Sequence, residues 1–187
     1  MGNQITFITK NQDKWDIAKE VLAQYNVEVL QEALETPEIQ AFDVEEVAKY
    51  SAKYAADRLN KPVIVTDAGY FIEALNGFPG PYIKFVNKWL TSQNILDMMT
   101  NEKNRKVLMR ETVAYFKPNE EPIVFTSETY GEIVTEPQGS GSTIDQIVKR
   151  DGQDKVQGLI LHEEMIQFWV QNLSHFHDLG KYLQKNS

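Results

Sequence analysis

Cysteine is absent from the 187 residues, which excludes disulfides and thiolate metal sites. Positive charge is scarce: 19 Lys and Arg stand against 27 Asp and Glu, for a net charge of −8. The sequence pI is about 4.9. General binding to nucleic acid or to an anionic membrane needs a basic surface, and this composition does not supply one. A small polyanion is still accessible, because a few lysines and backbone N–H groups suffice to hold it. No apolar run reaches the length of a bilayer span, and the first residues read directly as a strand, so the expected location is the cytoplasm. Internal repeats, low-complexity segments and a clean linker are also missing. One α/β domain over residues 1–187 is expected, with an ordinary 42% of hydrophobic residues to build its core.

The most informative stretch runs from Pro62 to Phe85. Val63, Ile64 and Val65 form a β-branched run behind a proline, which predicts a buried strand ending near Asp67. A carboxylate at the end of such a strand faces the crevice where α/β domains bind ligands. Asn76-Gly77 and Pro79-Gly80-Pro81 are turn-formers that deliver Lys84 to the start of a helix. One acid and one lysine on neighbouring turns suit a phosphate and metal site. They serve equally as a helix-capping Asp and a surface Lys, and these residues alone leave both open.

The chain opens as strand, turn and helix. Ile5 to Ile8 is a β run, Thr9 to Lys14 a polar turn, and Trp15, Ala18, Leu22 and Tyr25 recur at helical spacing. A hydroxyl, an amide and a lysine beside a helix N-terminus favour an anion, although an ordinary N-cap uses the same residues. Val27 to Leu30 reads as an edge strand, and Glu35 to Gln40 as an acidic connector. Asp43 and Glu46 form a capping box for a helix burying Val44, Val47, Ala48, Ala52, Ala55 and Leu59. Ser51 lies in that stripe as a packing residue. Beyond Lys84 come two short helices, the second capped by Thr91, and a charged linker from Asn101 to Arg105. Two long strands follow, from Val107 to Tyr115 and from Ile123 to Val134, joined by a hairpin-like turn. They imply an antiparallel lobe extending beyond the opening α/β unit. A Gly/Ser loop from Pro137 to Ser142 precedes Asp145. The region from Leu159 to Leu183 is helical, with Ser174 as the cap of the last helix and His175 in its first turn.

Three segments resemble the inosine triphosphate pyrophosphatase (ITPase) family, hydrolases of non-standard purine nucleoside triphosphates. Ile5 to Lys14 is similar to its opening strand and Thr-x-Asn-x-x-Lys phosphate turn. Val65-Thr66-Asp67-Ala68-Gly69 is similar to its acidic strand end. Gly77-Phe78-Pro79-Gly80-Pro81-Tyr82-Ile83-Lys84 is close to its Gly-x-Pro-Gly-x-Tyr segment and is the most specific of the three. The resemblance implies an elongated α/β fold with a central mixed sheet flanked by helices, two lobes around a cleft, and a homodimer. It implies Mg²⁺, with Mn²⁺ as an alternative, and attack of water on the α-phosphorus to release a nucleoside monophosphate and pyrophosphate. Carried over by residue, Thr9, Asn11 and Lys14 hold the triphosphate, and Lys84 neutralises phosphate charge. Glu38 and Asp67 are the metal ligands, Asp67 also being the general base. Asp145, Ser174 and His175 lie toward the nucleobase. Tyr82 and Trp89 fall where the family's dimer contacts lie, and serve equally as core residues.

The departures from the family cluster. Thr66 stands where a second acidic residue is usual, and Ser51 near a usual lysine. Ser142-Thr143-Ile144-Asp145 replaces Phe-Gly-Trp-Asp, so the ring that stacks on the base is missing. Val170 and Phe176 replace a lysine and an arginine. The changes leave the triphosphate cradle and alter the base pocket, with Phe176 or Trp169 as candidate replacement stacking surfaces. Two functions follow: a metal-dependent pyrophosphatase with altered base preference, or a non-catalytic nucleotide- or phosphate-ligand-binding protein on the same fold. An interaction protein with a dead cleft is a third.

Overall fold

The computed structural model describes residues 3 to 186. Its strands form one mixed sheet. In chain order they are β1 (Asn3–Ile8), β2 (Val27–Glu32), β3 (Val63–Ile72), β4 (Pro79–Gly80), β5 (Lys106–Phe116), β6 (Ile123–Ile133) and β7 (Val148–Arg150). The strand order is β2-β1-β3-β5-β6-β7, with β4 paired to β3. The helices are α1 (Gln12–Ala23), α2 (Val44–Leu59), α3 (Ile83–Trp89), α4 (Ser92–Met98), α5 (His162–Asn172) and α6 (Ser174–Lys185). The chain divides into two compact units, and β3, β5 and β6 each contribute residues to both.

The first unit comprises the chain up to Asp67, Glu111–Ser127, and the chain from Ile166 onward. Here β1 runs parallel to β2, from Asn3↔Val27 to Ile8↔Glu32, and parallel to β3 at Thr6↔Val63 and Phe7↔Ile64. Successive strand residues point to opposite faces, and both faces are covered. Ile8, Val63, Val65, Ala114 and Phe116 meet the alanine stripe Ala48, Ala52, Ala55 and Ala56 of α2. On the other side Phe7, fully buried, meets the Phe176 ring of α6 edge-on at 6.0 Å. Fully burying a side chain of this size contributes about 1.5–3 kcal/mol. The expected stripe on α2 holds, with Ser51 buried inside it as a packing residue, while Val47 and Leu59 are only half-buried. Asp43 caps α2 by accepting from Glu45 N, one residue before the expected Glu46. Asn60 ends the helix in the left-handed region at φ 51°.

The second unit comprises Ala68–Arg110 and Glu128–Met165. The strand expected to end near Asp67 continues to Ile72, because β4 folds back and pairs with it at Tyr70↔Gly80 and Phe71↔Pro79. A Cβ on Gly69 would sit 2.9 Å from the Gly80 carbonyl carbon, so only glycine lets the two backbones approach this closely. Asn76 and Gly77 make the turn with φ of 53° and 87°. Thr91 caps α4 through a capping box with Asn94. β7 pairs antiparallel with β6, from Gly131↔Arg150 to Ile133↔Val148. No described helix is long and apolar enough to cross a membrane.

Candidate functional site

In the first unit β1 delivers the chain to a turn whose side chains are already oriented. Thr9 Oγ1 accepts from Asn11 N at 3.1 Å. Asn11 is the N-cap of α1, its Oδ1 accepting from Lys14 N at 3.0 Å. The helix therefore starts inside the expected turn, at Gln12. With one lone pair of each oxygen so engaged, the turn still presents the Thr9 O–H, the Asn11 amide N–H groups and the Lys14 ammonium as donors, beside the Asp13 carboxylate. They lie at the N-terminus of a 12-residue helix, where the first N–H groups lack intrahelical acceptors. Lys14 is half-buried and has no ion-pair partner among the described residues. Its exposed neighbour Lys10 pairs instead with Glu35 at 2.8 Å. Donors and a cation at a helix N-terminus are the features that favour an anion.

The first turn of α6 comes close enough to α1 for the charge of Lys14 to act on His175. Ser174 is the first residue of the helix rather than its cap; Leu173 holds the cap position, and Ser174 N donates to Ser127 Oγ at 3.1 Å. His175 is 1% exposed, and neither ring nitrogen has a hydrogen-bond partner among the described residues. Burial, then the positive charge of Lys14 and then His177, push its pKa down to about 3. His175 is therefore a neutral imidazole close enough to Lys14 to feel its charge. The next ring, Phe176, packs 4.3 Å from His175 by centroids. Phe176 and Trp169 are 2% and 7% exposed, so both are core residues and neither offers the stacking surface considered from the sequence. Val170 is buried too, and its carbonyl accepts from His177 Nε2 at 3.0 Å. A carbonyl only accepts, so Nε2 carries the proton, and His177 Nδ1 hydrogen-bonds with the Tyr25 hydroxyl at 3.0 Å.

Glu38 and Asp67 also belong to the first unit. Glu38 is exposed on the connector between β2 and α2, and Asp67 is half-buried in the middle of β3. Among the described residues no cluster of three or more His, Asp or Glu side chains is built to hold a metal. The carboxylates of Glu38 and Asp67 are oxygen donors of the type that a hard divalent cation takes, one or two at a time, alongside water.

Lys84 and Asp145 lie in the second unit. Lys84 is exposed in the first turn of α3. Asp145 sits in a loop whose neighbours face inward. Thr143 and Ile144 are buried, Thr143 Oγ1 donates to Leu90 O at 2.7 Å, and Ile144 N donates to Asn87 Oδ1 at 3.3 Å. The Asp145 carboxylate accepts from Ser142 N and Oγ at 2.9 and 2.7 Å on Oδ2, and from Gln157 Nε2 at 2.9 Å on Oδ1. Sequence reasoning missed Gln157 and its partner Arg150, since nothing in their spacing marks them.

An α/β fold with hydrogen-bond donors at the start of its first helix has the local features of an anion site. The sequence model of the Ham1 family matches residues 5–164, and this chain belongs to that family. It is 43% identical over 152 residues to the dITP/XTP pyrophosphatase of Methanopyrus kandleri, covering 81% of each chain. To the dITP/XTP pyrophosphatase of Thermococcus kodakarensis it is 40% identical over 162 residues, covering 86% and 87%. To the inosine triphosphate pyrophosphatase of Tuber melanosporum it is 32% identical over 183 residues, covering 91% and 98%. The fold matches the Ham1 protein of Staphylococcus aureus with a TM-score of 0.81 at 24% identity, over 99% of this chain and 100% of that one.

Proposed function

We propose that this protein is a nucleoside triphosphate pyrophosphohydrolase that acts on non-standard purine nucleotides and releases a nucleoside monophosphate and pyrophosphate. The observation that carries the reading is the turn of Thr9, Asn11 and Lys14, which presents N–H and O–H donors at a helix N-terminus, with Lys14 left without an ion-pair partner among the described residues. The names of the relatives support the reaction class. Thr9, Asn11 and Lys14 bind the triphosphate, and Lys84 adds positive charge to it. Such chemistry depends on positioning and charge neutralisation more than on a covalent intermediate. Asp67 accepts the proton of the attacking water. Glu38 and Asp67 supply the oxygen ligands for Mg²⁺ or Mn²⁺, which when bound would neutralise phosphate charge and make water more acidic. Ser174 and Asp145 face the nucleobase, while His175, buried like the Phe176 ring beside it, supports Ser174 from the core.

The protein works as a homodimer in the cytoplasm. Trp89, 69% exposed and stacked on Phe85 with centroids 5.3 Å apart, supports an interface on α3.

The test is pyrophosphate release from a panel of purine and pyrimidine triphosphates, standard and deaminated, with excess Mg²⁺. Turnover is expected, and Asp67→Asn should lower it by roughly 10²–10⁴-fold. An unchanged rate in that variant removes Asp67 from the general-base role. Binding of a nucleotide with no turnover of any triphosphate would replace the enzyme with a non-catalytic phosphate-ligand-binding protein.

A further inference from the structure

Asp145 is connected to a buried guanidinium through a single amide. Arg150 on β7 is 3% exposed and Gln157 7%. Arg150 Nε and Nη2 both donate to Gln157 Oε1, at 3.2 and 3.0 Å. Its Nη1 donates to Thr129 Oγ1 at 3.0 Å, and Nη2 also reaches the Tyr70 hydroxyl at 3.2 Å. A guanidinium only donates, so the Gln157 oxygen must face it and the amide nitrogen must face away. That nitrogen donates to Asp145 Oδ1 at 2.9 Å. With the two bonds from Ser142 on Oδ2, three donors occupy three of about four acceptor positions of the carboxylate. One acceptor position on Oδ1 has no donor among the described residues.

We infer that Gln157, oriented by Arg150, is a positioning residue that turns Asp145 into a reader with one acceptor position for the nucleobase. The inference rests on the pyrophosphatase reading and on Asp145 contacting the base. A fixed carboxylate with one open position accepts a single ring N–H and repels a ring nitrogen lone pair at the same place. A carboxylate free to rotate loses that discrimination, because it can turn away from the lone pair. The network offsets the missing family residues: Ser142 now pins the acid, and the loop keeps no aromatic ring to align the base.

Gln157→Glu tests this, since it has nearly the same shape and still accepts from Arg150 but has no N–H for Asp145. The readout is the ratio of kcat/KM for inosine triphosphate, which has a ring N–H, to that for adenosine triphosphate, which has a lone pair there. The ratio is expected to fall at least tenfold, through a higher KM for inosine triphosphate with little change in kcat. A purely structural role lowers both substrates alike and leaves the ratio intact. If Gln157→Glu does not fold, Ser142→Ala removes one of the two donors on Oδ2 and should lower the ratio about threefold. An unchanged ratio in the variant that folds, with Asp145→Asn shifting it, overturns the role of Gln157 and leaves the enzyme reading standing. An unchanged ratio in Asp145→Asn means that Asp145 does not read the base. Absence of pyrophosphate release from every triphosphate with the native protein overturns the enzyme reading and this inference together.

Discussion

A histidine that stays neutral inside the protein makes stability depend on pH. His175 ionises near its ordinary value of about 6.5 in the unfolded chain, but only near about 3 in the folded one. Between those values the unfolded state holds the proton and the folded state does not. Its contribution is therefore complete above about pH 6.5 and is lost as pH falls toward 3. Denaturant unfolding from pH 7 to pH 4 should show the native protein losing stability more steeply than His175→Leu, by up to about 1.4 kcal/mol per pH unit. Equal slopes would mean that His175 becomes charged inside the fold. At the same scale, Lys14→Met removes the unpaired cation of the phosphate turn. It should raise KM for the triphosphate roughly tenfold or more, the order of a lost charge-assisted hydrogen bond of about 1.5–3 kcal/mol. An unchanged KM in steady-state kinetics would take Lys14 out of the triphosphate site.

At the scale of elements, the packing of α1 against α6 decides whether His175 stays beside Lys14. Tyr25, just past α1, lies across Gly180 of α6. A Cβ on Gly180 would come to 2.6 Å from the ring carbon Cγ, at the fixed end of the side chain. Gly180→Ala improves helix propensity by about 1 kcal/mol but forces the helices apart or the ring aside. Overpacking of this kind costs about 1–3 kcal/mol, so a net loss of stability is expected in denaturant unfolding. A stabilised variant would mean that Tyr25 moves freely, at odds with its hydrogen bond to His177. The opening strand, turn and helix and the alanine stripe of α2 were legible because they use local signals: β-branched runs, a capping residue and helical spacing. The course of β3 past Asp67 was not legible. Its length depends on β4 pairing back onto it, and the turn that allows this lies outside the strand's own sequence.

At the scale of the whole molecule, the homodimer is the expectation to check. Trp89 and Phe85 present stacked rings on α3, and a ring 69% exposed is costly to leave in water. Light scattering should give twice the 21.5 kDa chain mass, and Trp89→Glu should return it to the monomer value. A monomeric native protein, or a dimer that survives the substitution, would place the interface elsewhere or remove it.

By itself the sequence determined the class of fold and the strand, turn and helix that open the chain. Those features are written in short segments, where spacing and capping act between near neighbours. Only the tertiary structure decided which of the remaining residues touch. It brought His175 under the influence of Lys14 from 161 positions away and buried it without a hydrogen-bond partner among the described residues. It placed Phe176 and Trp169 in the core, because an aromatic residue on a helix reads the same from the sequence whether it packs inward or faces a ligand. It joined Arg150 to Asp145 through Gln157, since hydrogen bonds across loops follow from where the strands carry them and leave no period in the sequence.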